Sequence, residues 1–123
     1  MIKKMKTKKN LKELINVLEK KAGTPLQIGT DYNCSSLQFC ATVYYFPKNY
    51  LNRHDIDEHL KEAVDRGKLL FGKDYSLAFY NKEMEFGIPY DFIYKVDKSD
   101  YTFNNLTVYE ITVFSGDTYR IMV

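Results

Sequence analysis

Four segments in the second half of the 123-residue chain alternate apolar and polar side chains with the period of two that is typical of β-strands. A tight hairpin turn is predicted at Ser115-Gly116-Asp117, between the last two segments. The second half of the chain is therefore predicted to be a series of antiparallel strands. The four segments cover residues 75–80, 92–96, 106–113 and 119–123.

The first half of the chain opens with an apolar stripe at helical spacing. The stripe follows Asn10, a residue type that caps helices, and it stops before Gly23 and Pro25, which end them. We therefore predict a helix over residues 10–22. Its apolar stripe consists of Leu11, Leu14, Ile15 and Leu18.

A strand pair and a second helix follow. Residues 26–32 and 37–46 read as two strands of a hairpin. The next helix is predicted to begin near Asn52 or Asp55, because Glu58 can complete a capping box with Asp55. Its apolar stripe consists of Ile56, Leu60, Ala63 and Val64.

These elements predict a single α+β domain over residues 10–123, in the order α-β-β-α-β-β-β-β. Both helices are expected on one face of a largely antiparallel sheet of about five to six strands. Residues 1–9 lack apolar periodicity and are predicted to form a flexible basic arm. Residues 81–89 are predicted to form a charged loop.

The N-terminal segment is basic and the rest of the chain is mildly acidic, although the net charge is only +2. A lysine-rich arm can neutralise phosphates, so it could bind nucleic acid. The acidic remainder and the lack of a recognition motif favour a solvated tail instead. The lysines of the arm are Lys3, Lys4, Lys6, Lys8 and Lys9.

Side chains that usually carry catalysis or bind metals are scarce, since the chain has two histidines and two cysteines. On the second helix, Asp55, His59 and Glu62 have spacings that could place them around one metal ion. No second segment supplies histidine or cysteine ligands, so we favour a solvated helix face. Reduced thiols are favoured over a disulfide for Cys34 and Cys40. We predict no catalytic residue, no metal and no cofactor.

Aromatic residues are abundant, with eleven tyrosines and eight phenylalanines. Buried phenols need hydrogen-bond partners, so some tyrosines are expected at the surface, where they are enriched in protein interfaces. Phe86 and Ile88 lie among charges in the predicted loop, where they are either held out for a partner or tucked beneath the sheet. The predicted partner-binding residues are Glu83, Glu85, Phe86, Ile88, Tyr90 and Asp91.

We therefore expect a small non-enzymatic module that binds a protein partner with a basic surface. Residues with AT-rich codons are abundant, which favours a phage or mobile-element accessory protein that inhibits a host nuclease or defence complex. Its expected location is the cytoplasm of a bacterial host cell, because no apolar run can span a bilayer and no signal-peptide pattern is present.

The alternative is a nucleic-acid-binding protein that uses the lysine arm and exposed tyrosines, and a small hydrolase is the least favoured reading. The charges around an exposed tyrosine face separate the first two hypotheses. Nucleic acid is favoured by a ring of Lys48, Lys82, Lys95 and Arg120. A basic protein is favoured by a ring of Glu83, Glu85, Asp91 and Glu110.

Overall fold

The computed structural model describes residues 2–31, 38–47, 50, 56–71 and 76–123. These residues form two helices and seven strands, which confirms the α+β class. The elements are α1 (Ile2–Lys20), β1 (Leu26–Asp31), β2 (Gln38–Val43), α2 (Glu58–Phe71), β3 (Ser76–Tyr80), β4 (Glu85–Pro89), β5 (Ile93–Phe103), β6 (Leu106–Val113) and β7 (Thr118–Met122), with one 3-10 turn at Tyr90–Phe92.

The strands form two sheets rather than one. The main sheet has five strands in the order β2-β1-β7-β6-β5, and the hairpin sheet consists of β3 and β4. Every paired strand is antiparallel to its neighbour, as predicted. An isolated bridge between Tyr44 and Tyr80 links the end of β2 to β3. The expected single sheet of five to six strands is therefore corrected to five strands plus two.

The hairpin sheet has apolar residues on both faces. Leu77, Phe79 and Ile88 face the main core, where they join α1 and the inner face of the main sheet. Ala78 and Tyr80 point the other way and pack with α2. The prediction that both helices cover one face of one sheet is therefore wrong. The stripes of both helices are nevertheless packed as expected, including the fully buried Leu14, Leu18 and Ala63.

Helix α1 begins at Ile2, eight residues before the predicted start. Residues 2–9, which were predicted to belong to a flexible basic arm, are thus helical. Asn10 lies in the middle of the helix and does not cap it. Its side-chain Nδ2 donates a hydrogen bond to the Val96 carbonyl at 2.8 Å, which anchors α1 to β5.

The segment predicted as a charged loop contains β4. The Asn81 side chain accepts hydrogen bonds from the backbone N–H groups of Glu83 and Met84, both at 2.9 Å, and this closes a tight turn. Residues 85–89 then pair with β3 in register, with Phe86 opposite Phe79. The strand was missed because Gly87 and Pro89 are typical of loops.

Helix α2 is capped by Asp57, whose carboxylate accepts a hydrogen bond from the His59 N–H at 2.9 Å. This bond is the main reason why the pKa of Asp57 is lowered, and Lys82 nearby adds to the effect. The predicted starts at Asn52 and Asp55 lie outside the described residues. No helix in the described part of the chain is long and apolar enough to cross a membrane.

Candidate functional site

Three large aromatic side chains are exposed together where β5 begins and β6 ends. Phe92, Tyr94 and Phe114 expose 60%, 52% and 70% of their surfaces. The rings of Tyr94 and Phe114 are 5.5 Å apart, and the Phe114 N–H donates a 3.0 Å hydrogen bond to the Phe92 carbonyl. We call these three residues the aromatic patch.

A β-bulge is the reason why Tyr94 is exposed. Strict alternation places Tyr94 on the same face as Val96, which is buried in the core. The pairing of β5 with β6 shifts register between Ile93 and Lys95, so Tyr94 turns outward while Val96 still faces inward. Phe114 follows the buried Val113 and has the opposite parity, which is the one sequence signal that could have revealed the patch.

An apolar groove of about 610 Å³ adjoins the aromatic patch. One wall comes from β4 and the other from the end of β6, the following turn and the start of β7. The rings of Phe86 and Tyr119 lie 5.1 Å apart and join the two sheets. The groove is lined by Gly87, Ile88, Pro89, Phe92, Val113, Phe114, Ser115, Asp117 and Tyr119.

The chain near the groove carries negative charge. Asp117 lines the groove. Asp91 is exposed directly beside Phe92.

Each described cation of the ring that would favour nucleic acid around a tyrosine face has a carboxylate partner. Lys82 Nζ lies 3.5 Å from Asp57 Oδ2, and Lys95 Nζ lies 3.5 Å from Asp97 Oδ2. Arg120 contacts a carboxylate oxygen of Asp31 and also approaches Glu110. Lys48 lies outside the described residues.

The predicted partner-binding residues separate into surface and core positions. Glu83 and Asp91 are exposed. Glu85 is mostly covered and accepts a hydrogen bond from Arg66 Nε at 3.1 Å. Ile88 is only 2% exposed, so it lines the base of the groove and belongs to the core. Phe86 and Tyr90 are partly buried and pack against the same core.

The predicted metal candidates on α2 are not gathered into a site among the residues that the structure describes. His59 and Glu62 lie on the exposed face of the helix, with His59 Nδ1 3.9 Å from Glu62 Oε2. Asp55 lies outside those residues. Within them, no group of three or more histidine, cysteine, aspartate or glutamate side chains could hold a metal ion.

The face of the main sheet that points away from the core carries charged and polar side chains around Arg120, and the apolar Val108 and Met122 are buried at one end of it. Arg120 is its central charge, and the hydrogen bond from its side chain to Asp31 raises the pKa of the guanidinium. Arg120 Nε also lies 3.6 Å from Glu110 Oε2. Cys40 is exposed on this face, and Cys34 lies outside the described residues.

Comparisons with protein-family models, curated proteins and solved structures find no match.

Proposed function

We propose that this chain is a non-enzymatic protein-binding module that contacts its partner through the aromatic patch and the adjoining groove. The observation that carries the proposal is the joint exposure of Phe92, Tyr94 and Phe114 beside an apolar groove. Large aromatic side chains are enriched in protein interfaces and dominate their binding energy. An exposed group of this kind costs solvation free energy unless a partner covers it.

The charges support a partner with a basic surface. Asp91 borders the patch, and the cations Lys82 and Lys95 are paired with carboxylates. A negative rim attracts a basic protein over long range and speeds its association. It repels the phosphates of nucleic acid, which is the competing ligand.

The composition suggests a more specific role. An accessory protein of a phage or mobile element would gain from blocking a host nuclease or defence complex. Such targets present basic surfaces that hold nucleic acid. An acidic and aromatic surface on a small inhibitor suits competition for that kind of site.

The experiment is a pull-down from the source cell, with and without nuclease treatment, using the chain and two double variants. Replacing Phe92 and Phe114 by Ala should weaken capture of the partner more than about tenfold, because central aromatic anchors contribute roughly 2 kcal/mol or more. Replacing Tyr101 and Phe103 by Ala is the matched control, since these side chains are about half exposed elsewhere on β5. The proposal is contradicted if both double variants lose partner capture equally, or if neither loses it.

Nucleic-acid binding is the second candidate, and the exposed lysines of α1 favour it. Lys8, Lys9 and Lys12 are exposed on this helix. Replacing all three by Gln should weaken binding to a single-stranded oligonucleotide and flatten the salt dependence of its affinity, because fewer counterions are released. This candidate is rejected if a protein partner is still captured after nuclease treatment and if the triple variant captures it equally well.

A further inference from the structure

The groove meets the edge of β4 rather than one of its faces. Three consecutive residues, Gly87, Ile88 and Pro89, line the groove, whereas a face exposes alternate residues. In the described sheets β4 has one neighbour, β3. The opposite wall comes from β6 and β7, which belong to the other sheet. On the side away from β3, Gly87 can therefore offer its N–H and C=O to an added strand and Pro89 its C=O, because the backbone groups of alternate residues point to that side and proline has no N–H.

The groove can also take apolar side chains from such a strand. Its volume of about 610 Å³ lies within the range of roughly 300–1,000 Å³ that is typical of ligand sites. Val113 and Tyr119 form the far wall, and Phe92 and Phe114 stand at its mouth. Addition of an extended segment to a sheet edge, with side chains in pockets, is a common mode of peptide recognition.

The charge expected of an added strand can be inferred from the acidic residues around the groove. Asp117 lines the groove and Asp91 borders the patch, whereas the nearby Lys95 is paired with Asp97. Lysine or arginine beside the apolar residues of the segment would face this negative rim, and arginine can also stack on the exposed aromatic rings.

We propose that an extended segment of the partner, in which apolar residues alternate with lysine or arginine, pairs with the edge of β4 and fills this groove. The proposal rests on the proposed protein-binding function and narrows it to one recognition mode. Main-chain pairing with β4 supplies affinity, and the groove and the acidic rim select the side chains.

Three short fluorescein-labelled peptides test the proposal by fluorescence anisotropy. The first alternates valine with arginine, the second alternates valine with glutamate, and the third has the first sequence with its central valines replaced by proline. The first peptide should bind at least tenfold more tightly than the others, because glutamate meets like charge and proline cannot donate to a strand ladder. Equal binding of the proline peptide overturns strand pairing, and equal binding of the glutamate peptide overturns the charge argument.

Protein variants locate the peptide on the surface. Replacing Phe92 and Phe114 by Ala should lower the affinity for the valine–arginine peptide at least tenfold. Replacing Tyr101 and Phe103 by Ala should leave this affinity unchanged. Asp91→Asn should weaken binding and flatten its salt dependence. Unchanged affinity in the Phe92 and Phe114 variant overturns the assignment of the groove.

Two further readouts separate this inference from the proposed function. If a recovered partner requires Phe92 and Phe114 but the valine–arginine peptide does not compete with it, the binding surface stands and the strand inference fails. If sedimentation shows a dimer of this chain that the same double variant dissociates, a second copy fills the groove and the inference is overturned. If the peptide competes with the partner for this chain, both the proposed binding function and the strand-pairing inference are supported.

Discussion

Asn10 shows how one polar side chain connects a helix to a sheet edge. It is buried in α1 and donates to the Val96 carbonyl of β5, the edge strand of the main sheet. Asn10→Ala should lower the free energy of unfolding by about 1–3 kcal/mol, because the buried carbonyl loses its donor. Urea denaturation measures this, with Lys12→Ala on the exposed face as the control. Equal stability of the two variants would show that the bond contributes nothing.

Thr30, unlike Asn10, is a buried polar residue whose side chain lacks a hydrogen-bond partner among the described residues. Thr30→Val should therefore raise the free energy of unfolding by about 1 kcal/mol, since it removes a buried polar group at nearly constant volume. Thr42→Val is the control, because the Thr42 hydroxyl accepts a 2.8 Å hydrogen bond from Gln27. A loss of stability in Thr30→Val would mean that the hydroxyl is satisfied.

Gly67 allows helix α2 to approach the hairpin sheet closely. A Cβ added there would lie 2.5 Å from Tyr80 Cε1, which is shorter than real Cβ contacts. Gly67→Ala should lower stability by about 1–3 kcal/mol through overpacking, although alanine favours a helix. Denaturation of Gly67→Ala and of the exposed control Glu62→Ala checks this. A more stable Gly67→Ala would show that Tyr80 moves aside without cost.

Local patterns predicted most elements but not their arrangement. The alternation of residues 106–113 and the stripe of Leu14 and Leu18 report one buried face each, so these elements are found as predicted. Strand order depends on distant pairing, such as Ile28 of β1 with Ile121 of β7. No local pattern contains that information. The capping signal at Asn10 failed because the same side chain has a tertiary role.

The candidate site was predicted only in part, for a similar reason. Asp91, one of the predicted partner-binding residues, lies beside the aromatic patch. Phe92 and Tyr94 were read as one regular strand face, and the bulge opposite β6 that turns Tyr94 outward arises from pairing. Ile88 was predicted either to be held out for a partner or to be tucked beneath the sheet, and β4 buries it in the core. Charged residues can be identified directly from the sequence. The face to which a side chain at a β-bulge points cannot, because it depends on pairing with another strand.

Stability of the whole molecule should fall in alkaline solution. Burial raises the pKa of Tyr45 and of Tyr109 to about 12, and the hydrogen bond from Tyr109 to Glu13 adds to its shift. Between pH 10 and 12 the unfolded chain releases these protons more readily than the folded chain, so folding loses free energy as pH rises. The stabilisation is fully present well below pH 10 and is lost as the pH rises towards 12.

Urea denaturation at a series of pH values checks this expectation. Replacing Tyr45 and Tyr109 by Phe should reduce the alkaline slope of the unfolding free energy without removing it, because burial also raises the pKa of Tyr80. An unchanged slope in the double variant would contradict the assignment to these phenols.

At the scale of the whole molecule, the fold brings distant parts of the chain to one surface. The core fixes β4 and the ends of β5 and β6 around a groove, and the aromatic side chains stand at its mouth. The described part of the molecule thus combines a packed interior with an exposed aromatic surface beside Asp91 and Asp117. Binding there is the central claim.

Amide hydrogen exchange of this chain, with and without its recovered protein partner, tests that claim most directly. Binding should slow exchange in residues 85–94 and 113–119, where β4, the aromatic patch and the groove lie. Exchange in α1 and in β2, which lies at the opposite edge of the main sheet from β5, should stay the same. Slowed exchange confined to α1, with residues 85–94 and 113–119 unaffected, would contradict the account.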